Sequence, residues 1–191
     1  IIPDRIEAGT YLILAAAMAK QVTIENVIPY HLESLISKLI EMGVEIDSQI
    51  DKIVVRKSDN CLKKVDIKTM PYPGFATDLQ APLTALLTQA MGNSSVTETI
   101  YKERFKHCQQ LNKMGANIII TPPSAIVVGP TSLSGTDVWA TDLRCGAALV
   151  IAALMAKGTT TIHDIYHIDR GYEDIVSKLS DLGANIRREI I

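Results

Sequence analysis

Three apolar, Ala/Leu-rich segments of helical length recur along the chain, from Tyr11 to Lys20, Leu83 to Met91 and Ala147 to Lys157. Each follows an aspartate-led polar step, namely Asp4-Arg5-Ile6-Glu7, Asp78-Leu79-Gln80 and Asp142-Leu143-Arg144. Gly92 and Gly158 stand where a helix-terminating glycine belongs. Short β-branched stretches come next and predict strands over Val22 to Val27, Ser95 to Ile100 and Thr159 to Ile165. A second, amphipathic helix of period 3.6 then ends at Gly43, Gly115 or Gly183. Its predicted buried stripe is Leu32, Leu35, Ile36, Leu39 and Ile40 in the first instance, and Ile175, Val176, Leu179 and Leu182 in the third.

The endings Lys113-Met114-Gly115-Ala116-Asn117-Ile118 and Asp181-Leu182-Gly183-Ala184-Asn185-Ile186 are nearly interchangeable, so the pattern is a repeat. Hairpins close the first two copies, Val44 to Ile46 with Ile53 to Val55, and Asn117 to Ile120 with Ile126 to Val128. The third copy is expected to stop after its first hairpin strand. Strand-like leads, Val65 to Lys68 and Asp137 to Ala140, precede the second and third copies, whereas the first begins without one. A β-α-β-α-β-β unit repeated over about 1–60, 61–134 and 135–191 predicts one α/β (α+β) domain with pseudo-threefold symmetry. A strand missing from its set leaves an open sheet edge, which the native protein is expected to fill from elsewhere in the chain.

Composition changes this picture little. At 191 residues, 47% hydrophobic and 21% charged, the chain is ordinary for a globular domain. Its net charge of -2 argues against nucleic-acid binding driven by bulk charge. The longest apolar run, Ala147 to Ala156, is about half the ~20 residues that a membrane-spanning helix needs, and no signal-like segment opens the chain. Cys61, Cys108 and Cys145 are far apart and in no metal-ligand spacing, which points to free thiols and a cytoplasmic location.

Candidate chemistry concentrates at Pro71-Tyr72-Pro73-Gly74-Phe75-Ala76-Thr77-Asp78-Leu79-Gln80-Ala81-Pro82. The prolines stiffen the approach, Gly74 permits a turn, and Thr77 with Gln80 forms a capping-box pattern at the helix start. Asp78 is therefore either a cap, like Asp4 and Asp142, or a rigidly held base. Arg104 and Arg170 fall at matching points of the second and third copies. They fit either anion recognition around one crevice or surface pairing with Glu103 and Asp169. His163 and His167 are four apart, but in a strand and loop that spacing separates them and does not indicate a metal site. Cys145 reads as core packing.

Four strings carry a resemblance to a known family: Ile2-Pro3-Asp4-Arg5-Ile6-Glu7-Ala8-Gly9-Thr10, Pro71 to Gln80, Ala140-Thr141-Asp142-Leu143-Arg144, and Ile165-Tyr166-His167-Ile168-Asp169-Arg170-Gly171-Tyr172-Glu173. In content and order they resemble the UDP-N-acetylglucosamine enolpyruvyl transferases of peptidoglycan synthesis. The resemblance implies one lobe of an inside-out α/β barrel, with its N-terminal strand and a second lobe outside this chain. It implies transfer of the enolpyruvyl group of phosphoenolpyruvate to the 3-hydroxyl of UDP-N-acetylglucosamine with release of phosphate. No metal or organic cofactor is implied. Carried over by position, Asp78 is the sugar-contacting base, and the backbone of Ile100 contacts the nucleotide sugar. Arg104 and Arg170 lie toward phosphoenolpyruvate, while Asp142 and Arg144 line the cleft. The family's catalytic cysteine loop is not in this chain, so none of the three cysteines inherits that role and the 191-residue piece is expected to be inactive alone. The alternatives are a 5-enolpyruvylshikimate-3-phosphate synthase-like transferase, and a non-catalytic binding module of the same fold.

Overall fold

A computed structural model describes residues 2–56 and 61–189. Ile1, the end of the first copy at 57–60 and residues 190–191 lie outside the described residues. The three apolar segments form α1 (Arg5–Met18), α3 (Gln80–Leu87) and α5 (Leu143–Met155), which contact one another in the middle of the molecule. All eight residues of α3 are buried, as is the run from Cys145 to Ala152 in α5. A helix apolar on every side needs cover on every side, which explains why these segments sit inside. The amphipathic second helices are α2 (Glu33–Glu41), α4 (Lys106–Lys113) and α7 (Ile175–Asp181), with the short α6 (Tyr166–Asp169) before the last.

Among the described residues, three separate sheets accompany the helices. The first orders β1 (Gln21–Glu25), β3 (Lys52–Arg56) and β2 (Glu45–Ser48), with β3 antiparallel to both neighbours. The second runs β4 (Ile67–Lys68), β5 (Gly92–Thr97), β7 (Ser124–Gly129) and β6 (Asn117–Thr121); β4 is parallel to β5, and the other pairs are antiparallel. The third pairs β8 (Asp137–Trp139) in parallel with β9 (Thr161–His163). Without its lead strand, the second sheet has the order of the first. Gly43, Gly115 and Gly183 hold φ of +96°, +99° and +92° just past their helices, a conformation that favours glycine.

Several expectations need correction. β5 starts at Gly92 and ends at Thr97, because the Glu98 carboxylate accepts the backbone N–H groups of Ile100 and Tyr101 and turns the chain out of the sheet. Ile40 is exposed, since the buried seam of this segment is Leu32, Leu35, Leu39 and Met42, and Ile40 lies on its flank. Leu182 is also exposed, with no element covering it among the described residues. No strand forms over 184–189, where the described residues offer no sheet partner. Among the described residues, no helix is long and apolar enough to cross a membrane.

Candidate active site

The three aspartates at helix starts do different work. Asp4 and Asp142 are N-caps: Asp4 Oδ1 accepts from the N–H groups of Ile6 (2.7 Å) and Glu7 (3.3 Å), and Asp142 Oδ1 from those of Arg144 and Cys145, both at 2.9 Å. Such caps stabilise by about 0.5–2 kcal/mol each. Asp78 caps nothing. It lies in a 3-10 turn, Thr77–Leu79, that leads into α3, and neither the turn nor α3 has a side-chain cap. The capping box expected of Thr77 and Gln80 is therefore not formed. The Thr77 hydroxyl is committed elsewhere, donating to Glu98 Oε2 at 2.8 Å and accepting from Arg104 Nη1 at 2.9 Å. Gln80 is buried, and its side-chain amide has no hydrogen-bond partner among the described residues.

In place of a helix end, Asp78 holds two arginines. Its Oδ1 accepts from Arg104 Nη1 at 3.1 Å and from Arg144 Nε at 3.0 Å, while among the described residues Oδ2 accepts no hydrogen bond. The three side chains are 34%, 26% and 18% exposed, so water screens the pairs only in part. The approach to Asp78 is fixed by a tight loop. Gly74 N–H donates to the Pro71 carbonyl and Met70 N–H to that of Phe75, and a Cβ at Gly74 would come within 2.5 Å of Met70 Cβ.

Beside this cluster opens a pocket of about 620 Å³, whose lining includes Ile100, Lys102, Arg104, Lys106, Asp142 and Arg144. Four of these are cationic, which suits an anionic ligand. Ile100, Arg104, Asp142 and Arg144 thus line one pocket, and Asp78 joins them through its bonds to the two arginines. Arg170 does not join them. It is exposed at the end of α6, outside the pocket lining, and forms no ion pair among the described residues. Neither surface pairing considered for the arginines occurs: Asp169 is held by Arg188, and Arg104 by Asp78.

Two buried groups escaped the sequence reading. Glu98 is fully buried and accepts four hydrogen bonds, from Thr69 Oγ1, Thr77 Oγ1 and the N–H groups of Ile100 and Tyr101. A lone glutamate in a strand-like run carries no signal of this. His107 lines the pocket yet is 2% exposed, and burial pushes its imidazole down to about 4, so the ring is neutral near pH 7. Burial also pushes the Cys108 thiol up to about 12 and raises that of Cys145, leaving both protonated and inert. His163 bonds Asp137 and stacks on Trp139, on a different element from His167.

The family model for EPSP synthase (3-phosphoshikimate 1-carboxyvinyltransferase) matches residues 1–179. The chain belongs to the EPSP synthase family. Within that family it is similar to UDP-N-acetylglucosamine 1-carboxyvinyltransferase 2 of Listeria monocytogenes (58% identity over 188 residues, 98% of this chain), of Geobacillus kaustophilus (59% over 189, 99%) and of Bacillus subtilis (57% over 189, 99%). The chain spans 44% of the length of each. Among solved members of the fold, the enolpyruvyl transferase NikO from Streptomyces tendae superposes with a TM-score of 0.89 at 32% identity, over 98% of this chain and 44% of that one. An EPSP synthase from Acinetobacter baumannii superposes at 0.60 over 83% of this chain and 38% of that one, with 15% identity, and shares the fold alone.

Proposed function

We propose that this chain is one lobe of an enzyme that transfers the enolpyruvyl group of phosphoenolpyruvate to the 3-hydroxyl of UDP-N-acetylglucosamine. The observation that carries this reading is an Asp78 that anchors two arginines instead of a helix end, within a chain 57–59% identical to such transferases over nearly its whole length. The lobe is built on three related copies, a reading supported by the order that the first two sheets share and by the lead strand that the second and third have in common. A second lobe of the same protein completes the cleft.

Asp78 is the base. An ordinary carboxylate is too weak to deprotonate an alcohol in advance, so the proton moves to Asp78 as the sugar oxygen attacks C2 of phosphoenolpyruvate, while a general acid of the second lobe gives a proton to C3. Expulsion of phosphate, with return of a C3 proton to a base in the assembled cleft, restores the double bond. Oδ1 is committed to the guanidinium groups, which leaves Oδ2 for the hydroxyl. Arg104 and Arg144 offset the charge of phosphate and carboxylate, and because Asp78 pre-orients them they need little reorganisation when substrate arrives. Ile100 presents backbone to the nucleotide sugar, Asp142 fixes the start of α5 that carries Arg144, and Arg170 reaches the phosphoenolpyruvate side only in the assembled cleft. Chemistry of this kind belongs to cytoplasmic peptidoglycan synthesis.

Acceptor choice tests the reading. The full-length protein should release phosphate from phosphoenolpyruvate when given UDP-N-acetylglucosamine and not when given shikimate 3-phosphate. The reverse preference would move the assignment to the synthase branch of the family, and release with neither acceptor would favour a non-catalytic binding module.

A further inference from the structure

We infer that Glu98 is a positioning residue that holds both walls of this site from behind, through Thr77. The assignment rests on the transferase reading above. Glu98 stands where β5 ends, with its carboxylate wholly out of water. A buried carboxylate is costly unless every direction around it is answered by a donor, and here four donors answer it. They fall into two arms. Oε1 takes the Ile100 and Tyr101 N–H groups at 2.8 and 3.0 Å and the Thr69 hydroxyl at 2.7 Å, so it shapes the turn that opens the loop from Ile100 to Arg104. Oε2 takes the Thr77 hydroxyl at 2.8 Å.

The second arm carries direction as well as distance. A threonine hydroxyl has one proton to give. Because that proton goes to Glu98, the oxygen faces Arg104 as an acceptor and receives Nη1 at 2.9 Å. The same Nη1 also reaches Asp78 Oδ1. Glu98 thus sets the polarity of a Glu98–Thr77–Arg104–Asp78 chain that joins the end of β5 to the turn before α3. Burial removes competing water at its Glu98 end, which strengthens the link there.

The polarity is testable because Glu98→Gln replaces an acceptor oxygen by an amide with almost no change of shape. The NH₂ group would donate to Thr77 and compete with Arg104 for its oxygen. In the full-length protein, Glu98→Gln and Thr77→Val should each raise KM for phosphoenolpyruvate roughly tenfold, as expected for one charge-assisted hydrogen bond. In Thr77→Val, which leaves the Oε1 arm at Ile100 intact, the Kd for UDP-N-acetylglucosamine should stay within about twofold of the parent value. Thr77→Ser, which keeps the hydroxyl, should restore KM. The double variant should be no worse than the poorer single one, because both cut the same chain.

If KM is unchanged in an active protein, or if Thr77→Ser is as impaired as Thr77→Val, the inference is wrong. Multiplying single effects in the double variant would also overturn it, as would parallel weakening of both substrates in Thr77→Val with a lowered melting temperature, the mark of a merely structural role. Should Glu98→Gln fail to fold, the Thr77 pair decides alone. A parent protein that turns over neither substrate would remove the transferase reading and this assignment with it, an outcome distinct from an active parent whose variants are unimpaired.

Discussion

At the scale of single residues, the same side chain in the same sequence context plays different parts. Asp4, Asp78 and Asp142 all precede buried helices, yet only Asp78 is released from capping, because a 3-10 turn separates it from the first turn of α3. Its partners lie 26 and 66 residues away, so no local pattern reveals them. His107 gives a pH signature. Its pKa is lowered from 6.5 to about 4, chiefly by burial. Below the unfolded value, the unfolded chain takes up a proton that the folded chain refuses. Stability from this group is therefore complete above about pH 6.5 and declines as pH falls toward 4, by up to about 3 kcal/mol. Urea unfolding between pH 7 and 4 should show that decline, and His107→Gln should flatten this part of it. The cysteines provide a second check. A thiol reagent should label exposed Cys61 quickly, and Cys108 and Cys145 only after denaturation.

At the scale of elements, period and punctuation made most of the fold legible. All-round apolar segments became the central helices, one-sided segments became the covering helices, and Gly43, Gly115 and Gly183 ended them. Errors arose where tertiary partners decide. Strand β5 stops early because buried Glu98 bends the chain, and Ile40 is exposed because burial follows the seam through Leu35 and Leu39. Close packing at the centre also goes beyond what pattern shows. In α5, a Cβ at Gly146 would stand 2.4 Å from Ile168 Cγ1 and 3.0 Å from its Cδ1. Ile168 is itself buried, so Gly146→Ala should destabilise by about 1–3 kcal/mol through overpacking, read as a lower midpoint in urea. Ile168→Ala removes both contacted carbons, so the double variant Gly146→Ala/Ile168→Ala should cost less than the sum of the two single variants.

For the whole molecule, three sheets and three central helices bring the end of β5, the turn before α3 and the start of α5 to one cationic pocket. The repeat announced that these ends would be equivalent. It gave no indication that they would differ in chemistry, since the Asp78 cluster draws on one copy for its carboxylate and on another for Arg144. Arg170, placed with them by its position in the repeat, stays outside, because the short α6 leaves it at an exposed end. The chain covers 44% of its relatives' length, and by itself it should give no phosphate release from phosphoenolpyruvate and UDP-N-acetylglucosamine. The most direct test replaces the proposed base in the full-length protein. Asp78→Asn keeps the shape but cannot take the proton, so turnover should fall by about 10²–10⁴-fold while calorimetry still detects UDP-N-acetylglucosamine binding. A variant that retains the parent rate would contradict the role assigned to Asp78.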